Sequence, residues 1–132
     1  KTAYRKVDYD IAVNAARFKK MTRCEKFILV SSVGANSKSN NFYLKLKGEV
    51  EDAVKATGLL SVHIMRPSIL LGHRKESRSG EKIAKVMMKT FSFLIPSKYK
   101  PVHGRALATA MVTAAKNTAE GFFLLEYRGI KQ

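Results

Sequence analysis

The chain has 132 residues, enough for one domain or a large piece of one, and 45% of them are hydrophobic, so a buried core is expected. Lysine and arginine number 25 against 10 aspartates and glutamates, which gives a net charge of +15. No apolar stretch reaches the length of a membrane span, which argues against a membrane-spanning protein. The single cysteine, Cys24, excludes an internal disulfide and favours a reducing, cytoplasmic location.

The positive charge permits binding to a polyanion such as nucleic acid or a membrane surface. The cations are spread along the chain, however, and aromatic residues are not interleaved with them as they are on base-stacking surfaces. We therefore do not expect a nucleic acid or a membrane to be the partner. A basic polyanion-binding module stays open as one alternative function.

The first half of the chain alternates helical and strand patterns. A helix is predicted over residues 7–23, with an apolar face made of Val7, Ile11, Val13, Ala15, Phe18 and Met21. Residues 26–31 form a continuous apolar run, which is typical of a strand buried on both faces. A loop over residues 33–41 then leads into a helix over residues 41–56, and Thr57-Gly58 marks its end.

The second half continues the same alternation. A strand is predicted over residues 60–65, a surface loop over 73–80, helices over 81–93 and 103–116, and a strand over 121–127. This order predicts an α/β fold, a doubly wound, parallel Rossmann-type sheet with flanking helices. Because parallel strands end at one edge of such a sheet, the Ser31-Ser32 pair and the Arg66-Pro67-Ser68 segment should lie together.

A tyrosine and a lysine follow the serine pair at a spacing that suggests chemistry. Tyr43 and Lys47 are four residues apart and therefore lie on the same face of their helix. An ammonium close to a phenol favours the phenolate and helps a tyrosine to transfer a proton. Hydride transfer to or from a carbonyl or alcohol of a small-molecule substrate would then require a nicotinamide cofactor, NAD or NADP.

Three segments, FILVSS, YLKLK and RPSILLG, occur in this order and resemble the short-chain dehydrogenase/reductase superfamily. The longer stretches around them are similar to extended or atypical members in the Tat-interacting-protein-like oxidoreductase branch. The resemblance implies that Tyr43 is the general acid/base and that Lys47 assists it and binds the nicotinamide ribose. It implies that Ser32 is the serine that orients the substrate. Ser31 is the alternative position for this serine and is expected on the cofactor side. It also implies a cofactor-binding backbone at Arg66, Pro67, Ser68 and Ile69.

The glycine-rich phosphate loop of that family has no counterpart in these residues. We therefore expect residues 1–132 to be the carboxyl-terminal portion of a single NAD(P)-binding domain. Its partner would be a missing amino-terminal βαβ segment of the same protein. A dinucleotide-binding sensor or scaffold without catalysis is the other alternative to an NAD(P)-dependent oxidoreductase.

The remaining polar residues support simpler interpretations. His63 lies inside an apolar strand and is expected to be a packed residue, and we expect no metal site. Glu49, Glu51 and Asp52 are expected to be solvated partners of nearby lysines. Arg74, Lys75 and Arg78 lie in a loop that would cover the site, and their charges would suit a substrate that carries a phosphate.

Overall fold

The computed structural model describes residues 4–22, 26–71 and 96–131. A π-helical turn, Arg5–Asp10, leads into helix α1, Ile11–Met21. The next elements in chain order are β1 (Lys26–Val30), α2 (Phe42–Ala56), β2 (Ser61–Met65) and β3 (Leu70–Leu71). A 3-10 turn, Ser97–Tyr99, precedes β4 (Val102–His103), α3 (Gly104–Lys116), β5 (Gly121–Leu125) and α4 (Tyr127–Ile130). Among these helices, none combines the length and the apolar character that crossing a bilayer requires.

The main sheet has three parallel strands in the order β1-β2-β5. Strand β1 pairs with β2 from Lys26 opposite Ser61 to Val30 opposite Met65, and β2 pairs with β5 up to Leu125. Strands β3 and β4 form a separate short parallel pair. Helices that connect parallel strands cover both faces of the sheet. Strand residues that point to either face are therefore apolar, which explains the continuous apolar runs in the sequence.

Two hydrophobic clusters lie on opposite faces of the sheet. On one face Phe27, Leu29, Val62 and Ile64 pack with residues of α1 and α2. On the other face Ile28, Val30 and Met65 pack with residues of α3 and α4. Successive strand side chains point to opposite faces, so each strand contributes to both clusters. The structure is therefore a three-layer, Rossmann-like α/β fold, and the predicted fold class is confirmed.

Local signals place both ends of α2 where the sequence predicts them. The side chain of Asn41 accepts hydrogen bonds from the backbone N–H groups of Tyr43 and Leu44, at 3.0 and 3.2 Å, and so caps the helix. Gly58 has a φ of +66°, the left-handed conformation that glycine adopts without a steric penalty. The helix is consequently held at the length that the sequence indicates.

The predicted apolar face of the first helix is wrong. Of the six residues assigned to it, only Val13 is buried, and Ala16, which was not among them, is buried beside it. Val7, Ile11, Phe18 and Met21 are exposed instead. The helix carries apolar residues on two faces, and the contacts with α2 and β1 select the face with the smaller side chains.

Several sequence predictions fall on residues that the structure does not describe. They are Cys24, the loop over residues 73–80 with Arg74, Lys75 and Arg78, and the helix over residues 81–93. The predicted strand over residues 121–127 is shorter than expected, because the backbone turns into α4 at Tyr127.

Candidate functional site

The carboxyl ends of β1 and β2 bring the two predicted site segments together. The N–H of Ser31 donates to the carbonyl of Met65 at 2.7 Å, and the N–H of Val33 donates to the carbonyl of Pro67 at 3.0 Å. The backbone after β1 therefore runs beside the backbone after β2. Ligands of open parallel sheets bind at this edge, so the position agrees with a ligand site.

The two serines at this edge differ in their surroundings. Ser31 is only 6% exposed, and within the described residues its Oγ has no hydrogen-bond partner. Ser32 is half-buried and its Oγ donates a long hydrogen bond, 3.4 Å, to the carbonyl of Val33. A buried hydroxyl without a partner costs free energy, and a hydrogen-bonding ligand would remove that cost. The structure therefore favours Ser31 over Ser32 as the serine that contacts a ligand. The sequence resemblance had favoured Ser32.

Tyr43 and Lys47 lie together on one side of α2, as their spacing predicts. The Nζ atom of Lys47 is 5.7 Å from the centroid of the Tyr43 ring. Tyr43 is in the first turn, which Asn41 caps, and 46% of its surface is exposed. The phenol is therefore accessible from outside the protein, with a cation on the face of its ring.

The ammonium of Lys47 is nevertheless held by a different residue. Its Nζ forms an ion pair with Oδ1 of Asp8 at 2.7 Å, and both side chains are partly buried. A carboxylate at this distance compensates much of the positive potential that the ammonium would apply to the phenol. Asp8 is thus a residue of the site that the spacing of the motif did not indicate. It lies 39 residues before Lys47, and only tertiary contact joins the two.

Gly48 fixes the loop that connects β1 to α2. A Cβ atom at this position would lie 2.1 Å from the backbone N of Ser37 and 2.3 Å from the carbonyl carbon of Asn36. The loop backbone therefore contacts the helix directly, which only glycine permits. The N–H of Asn36 also donates to the carbonyl of Leu44 at 3.0 Å. No local pattern around Gly48 predicts this contact, because residues 36–37 approach it only in the folded chain.

Arg66, predicted to contact a cofactor, is engaged by α2. Its guanidinium contacts both carboxylate oxygens of Glu51, with Nε 3.0 Å from Oε1 and Nη2 bonded to Oε2. The hydrogen bonds to Glu51 raise the pKa of Arg66, and the side chain of Glu51 is only 5% exposed. The prediction that Glu51 is a solvated partner of lysines is therefore wrong. The Glu49 carboxylate likewise pairs with Arg5 rather than with a lysine.

The rest of the predicted cofactor segment is tied to the second, smaller sheet. The Oγ of Ser68 donates to the carbonyl of Lys100 at 2.6 Å, and the carbonyl of Ile69 accepts from the N–H of Val102 at 2.8 Å. Pro67 is buried, whereas the side chain of Ile69 is 43% exposed. These hydrogen bonds hold the backbone after β2 in place, and the side chain of Ile69 is the exposed apolar group of this segment.

His63 is a packed residue, as predicted. It is 2% exposed, and its ring stacks on Phe123 with 4.6 Å between the ring centroids. The Oγ of Ser61 lies 3.2 Å from Nε2 of His63 and also donates to the carbonyl of Ala119. Because the serine has one proton to give, His63 Nε2 acts as the donor toward it. Burial, and secondarily the charge of Lys26, lowers the pKa of His63 below its ordinary value of 6.5.

No family model matches the chain. The chain is similar to fungal FMP52 proteins. It is 34% identical over 119 residues to the mitochondrial protein FMP52-1 of Scheffersomyces stipitis, a match that covers 89% of this chain and 53% of that protein. It is 36% identical over 120 residues to the mitochondrial protein FMP52 of Candida glabrata, covering 86% and 51%. It is also 41% identical over 85 residues to the mitochondrial protein FMP52 of Candida albicans, covering 64% and 37%.

The chain spans about half the length of the S. stipitis and C. glabrata relatives. These similarities correct three sequence predictions. The relatives carry the name FMP52, so the assignment to the Tat-interacting-protein-like branch of short-chain dehydrogenases is wrong. Their names state no NAD(P)-dependent oxidoreductase activity, and the assignment of that function is withdrawn.

The third correction concerns location. The relatives are named as mitochondrial proteins, which overturns the predicted cytoplasmic location. That prediction rested on the single cysteine. One cysteine excludes an internal disulfide wherever the protein resides, so it has no power to separate one reducing compartment from another.

Proposed function

We propose that this protein acts in mitochondria and binds NAD or NADP at the carboxyl edge of β1 and β2. The observation that carries the proposal is the hydroxyl of Ser31, which is buried at this edge and lacks a partner among the described residues. Native proteins satisfy most buried polar groups, so a ligand that hydrogen-bonds Ser31 explains this exception. The mitochondrial location rests on the names of the relatives.

Side chains of α2 and of the segment after β2 suit the nicotinamide half of such a ligand. The hydroxyl of Tyr43 is accessible and can donate to a ligand oxygen, and the ammonium of Lys47 can donate to a ribose hydroxyl without leaving Asp8. The exposed side chain of Ile69 offers an apolar contact. Arg66 is left out of this set, because its Nε and Nη2 atoms hold the carboxylate of Glu51.

Titration of the full-length protein with NADH and NADPH, followed by nicotinamide fluorescence, tests the proposal. Replacing Ser31 with alanine removes one hydrogen bond to the ligand, so Ser31→Ala should raise Kd by about 2- to 10-fold. The same variant should be as stable as the wild type or slightly more stable without ligand, because the unpaired hydroxyl is gone.

Ser61→Ala is the matched control. Ser61 is also buried, but its hydroxyl has partners in His63 and the carbonyl of Ala119. This variant should lose about 0.5–1.5 kcal/mol of stability and keep the wild-type Kd. If neither dinucleotide binds the full-length protein, or if Ser31→Ala leaves Kd unchanged, the proposed site is wrong. Recovery of the protein outside the mitochondrial fraction of its own cells would contradict the proposed location.

A further inference from the structure

The two cations that the sequence assigns to the candidate site are each compensated by a carboxylate. The ammonium of Lys47 lies 2.7 Å from Oδ1 of Asp8, and Nε and Nη2 of Arg66 hold the carboxylate of Glu51. All four side chains are partly or largely buried, with exposures between 5% and 28%. An opposite charge this close cancels most of the attraction that either cation would exert on a third group. In a chain with a net charge of +15, these two cations are therefore not available to hold an anion.

The carboxylate of Asp8 owes its position to an unusual piece of backbone. It lies in the π-helical turn Arg5–Asp10, and π-helical turns are rare and often occur at functional sites. A second ion pair fixes this turn on α2, because Nη1 of Arg5 lies 2.6 Å from Oε2 of Glu49. The turn therefore presents Asp8 to Lys47 in a fixed position.

Three exposed aromatic side chains accompany the pair of Asp8 and Lys47. Tyr43 has its ring centroid 5.7 Å from Nζ of Lys47 and is 46% exposed. Phe42, its neighbour in the first turn of α2, is 37% exposed. The ring of Tyr4, 60% exposed, lies edge-on to Phe42 with 6.5 Å between the centroids. We call Tyr4, Phe42 and Tyr43 the aromatic cluster.

The aromatic cluster and the ion pair together favour one kind of ligand. Aromatic rings offer a large apolar area and pack well against another ring. The hydroxyl of Tyr43 adds one hydrogen-bond donor to this surface. A carboxylate or a phosphate, by contrast, would lose water here without gaining a counter-charge from Lys47, which costs free energy.

We propose that the protein holds a second ligand beside the nicotinamide, an uncharged molecule with an aromatic body and one carbonyl or hydroxyl oxygen. The proposal rests on the dinucleotide binding proposed above. The aromatic body packs on the aromatic cluster, and the oxygen accepts a hydrogen bond from Tyr43. Asp8 sets the preference for an uncharged ligand, because it cancels the charge of Lys47. The competing outcome is an anionic ligand held by the cations of residues 73–80, a loop outside the described residues.

A pair of matched ketones tests the preference on the full-length protein saturated with NAD or NADP, the oxidised forms that cannot reduce a ketone. Acetophenone and phenylglyoxylate share a phenyl ring and a ketone, and only phenylglyoxylate carries a carboxylate. Titrations followed by saturation-transfer NMR should give phenylglyoxylate a Kd about 10-fold higher than that of acetophenone, because its carboxylate is dehydrated without compensation.

The contribution of the aromatic cluster is tested separately. Phe42→Ala should raise the Kd of acetophenone by about 5-fold and leave the Kd of the dinucleotide unchanged. Leu60→Ala is the matched control, since Leu60 is 45% exposed but precedes β2 at the opposite edge of the sheet. That variant should leave both dissociation constants unchanged.

Asp8→Asn separates an effect of charge from an effect of structure. The asparagine keeps the shape of the side chain but leaves the ammonium of Lys47 uncompensated. Phenylglyoxylate should therefore bind about 10-fold more tightly than to the wild type, and the Kd of acetophenone should stay within about 2-fold. Loss of a purely structural contact would weaken both ketones alike. Asp10→Asn is the matched control, because it removes one charge from an exposed position of the same turn and should change neither Kd.

Three results would overturn the second ligand and leave the dinucleotide site standing. They are phenylglyoxylate binding as tightly as acetophenone or more tightly, failure of both ketones to bind the dinucleotide-loaded protein, and equal effects of Asp8→Asn on the two ketones. If Asp8→Asn does not fold, the preference of the wild type and the effect of Phe42→Ala decide. Absence of dinucleotide binding in the full-length protein overturns the proposed function itself, and the second ligand with it.

Discussion

The guanidinium of Arg66, directly after β2, forms a two-point ion pair with the buried carboxylate of Glu51 on α2. The pair ties the helix that carries Tyr43 and Lys47 to the strand whose end forms the candidate site. Both charges are largely removed from water, with side chains 18% and 5% exposed. Such a pair is expensive to break from one side, because the remaining charge stays buried without compensation.

We expect Glu51→Gln to lower the free energy of unfolding by about 3–5 kcal/mol, since it leaves the Arg66 guanidinium without its counter-charge. Urea unfolding followed by far-UV circular dichroism measures the loss. Glu49→Gln is the control, because its ion pair with Arg5 is more exposed and is worth about 0–1 kcal/mol. Equal urea midpoints for Glu51→Gln and Glu49→Gln would show that the buried ion pair stabilises the protein no more than the exposed pair does.

We expect Gly48→Ala to destabilise the protein, because the new methyl group collides with backbone rather than with a flexible side chain. Overpacking of this kind costs about 1–3 kcal/mol, and here the loop over residues 36–37 must also move. Gly104→Ala is the control, since its nearest atom, the carbonyl oxygen of Leu71, would be 3.7 Å away. That variant should be neutral or slightly stabilised, because alanine favours a helix more than glycine does.

Thermal and urea unfolding of both glycine variants measure these effects. If the proposed dinucleotide site is correct, Gly48→Ala should also weaken NADH or NADPH binding, because the displaced loop connects Ser31 to Tyr43. A Gly48→Ala variant as stable as Gly104→Ala would mean that the close contact between loop and helix does not exist in solution.

The stability of the protein should depend on pH through His63. Its pKa in the folded state is lowered from 6.5, mainly by burial and further by Lys26. Between the lowered pKa and 6.5 the unfolded chain binds more protons than the folded one, so acid favours unfolding. The contribution of His63 to stability is therefore complete above about pH 6.5 and is lost as the pH falls through that window.

Urea unfolding at a series of pH values tests this dependence. His63→Gln should flatten the part of the profile below pH 6.5, because the glutamine does not titrate. A profile that is the same in the wild type and in His63→Gln would rule out His63 as the origin of the acid sensitivity.

Much of the fold was accessible from the sequence because its signals are local. The apolar runs of β1 and β2, the Asn41 cap and Gly58 at the end of α2 each act within a few residues. The spacing of Tyr43 and Lys47 likewise places them on one helical face in any context. The first helix was the exception, since its two apolar faces gave the pattern no means of choosing which one is buried.

The sequence alone determined the alternation of helices and strands, the parallel sheet and the meeting of Ser31 with the Pro67 segment at one edge. Only the tertiary structure decided which charges pair: Lys47 with Asp8, 39 residues away, and Arg66 with Glu51, 15 residues away. The physical reason is the sequence distance over which each kind of interaction acts. Backbone geometry and apolar periodicity are set by neighbouring residues, whereas the partner of a charge depends on which surfaces the folded chain brings together.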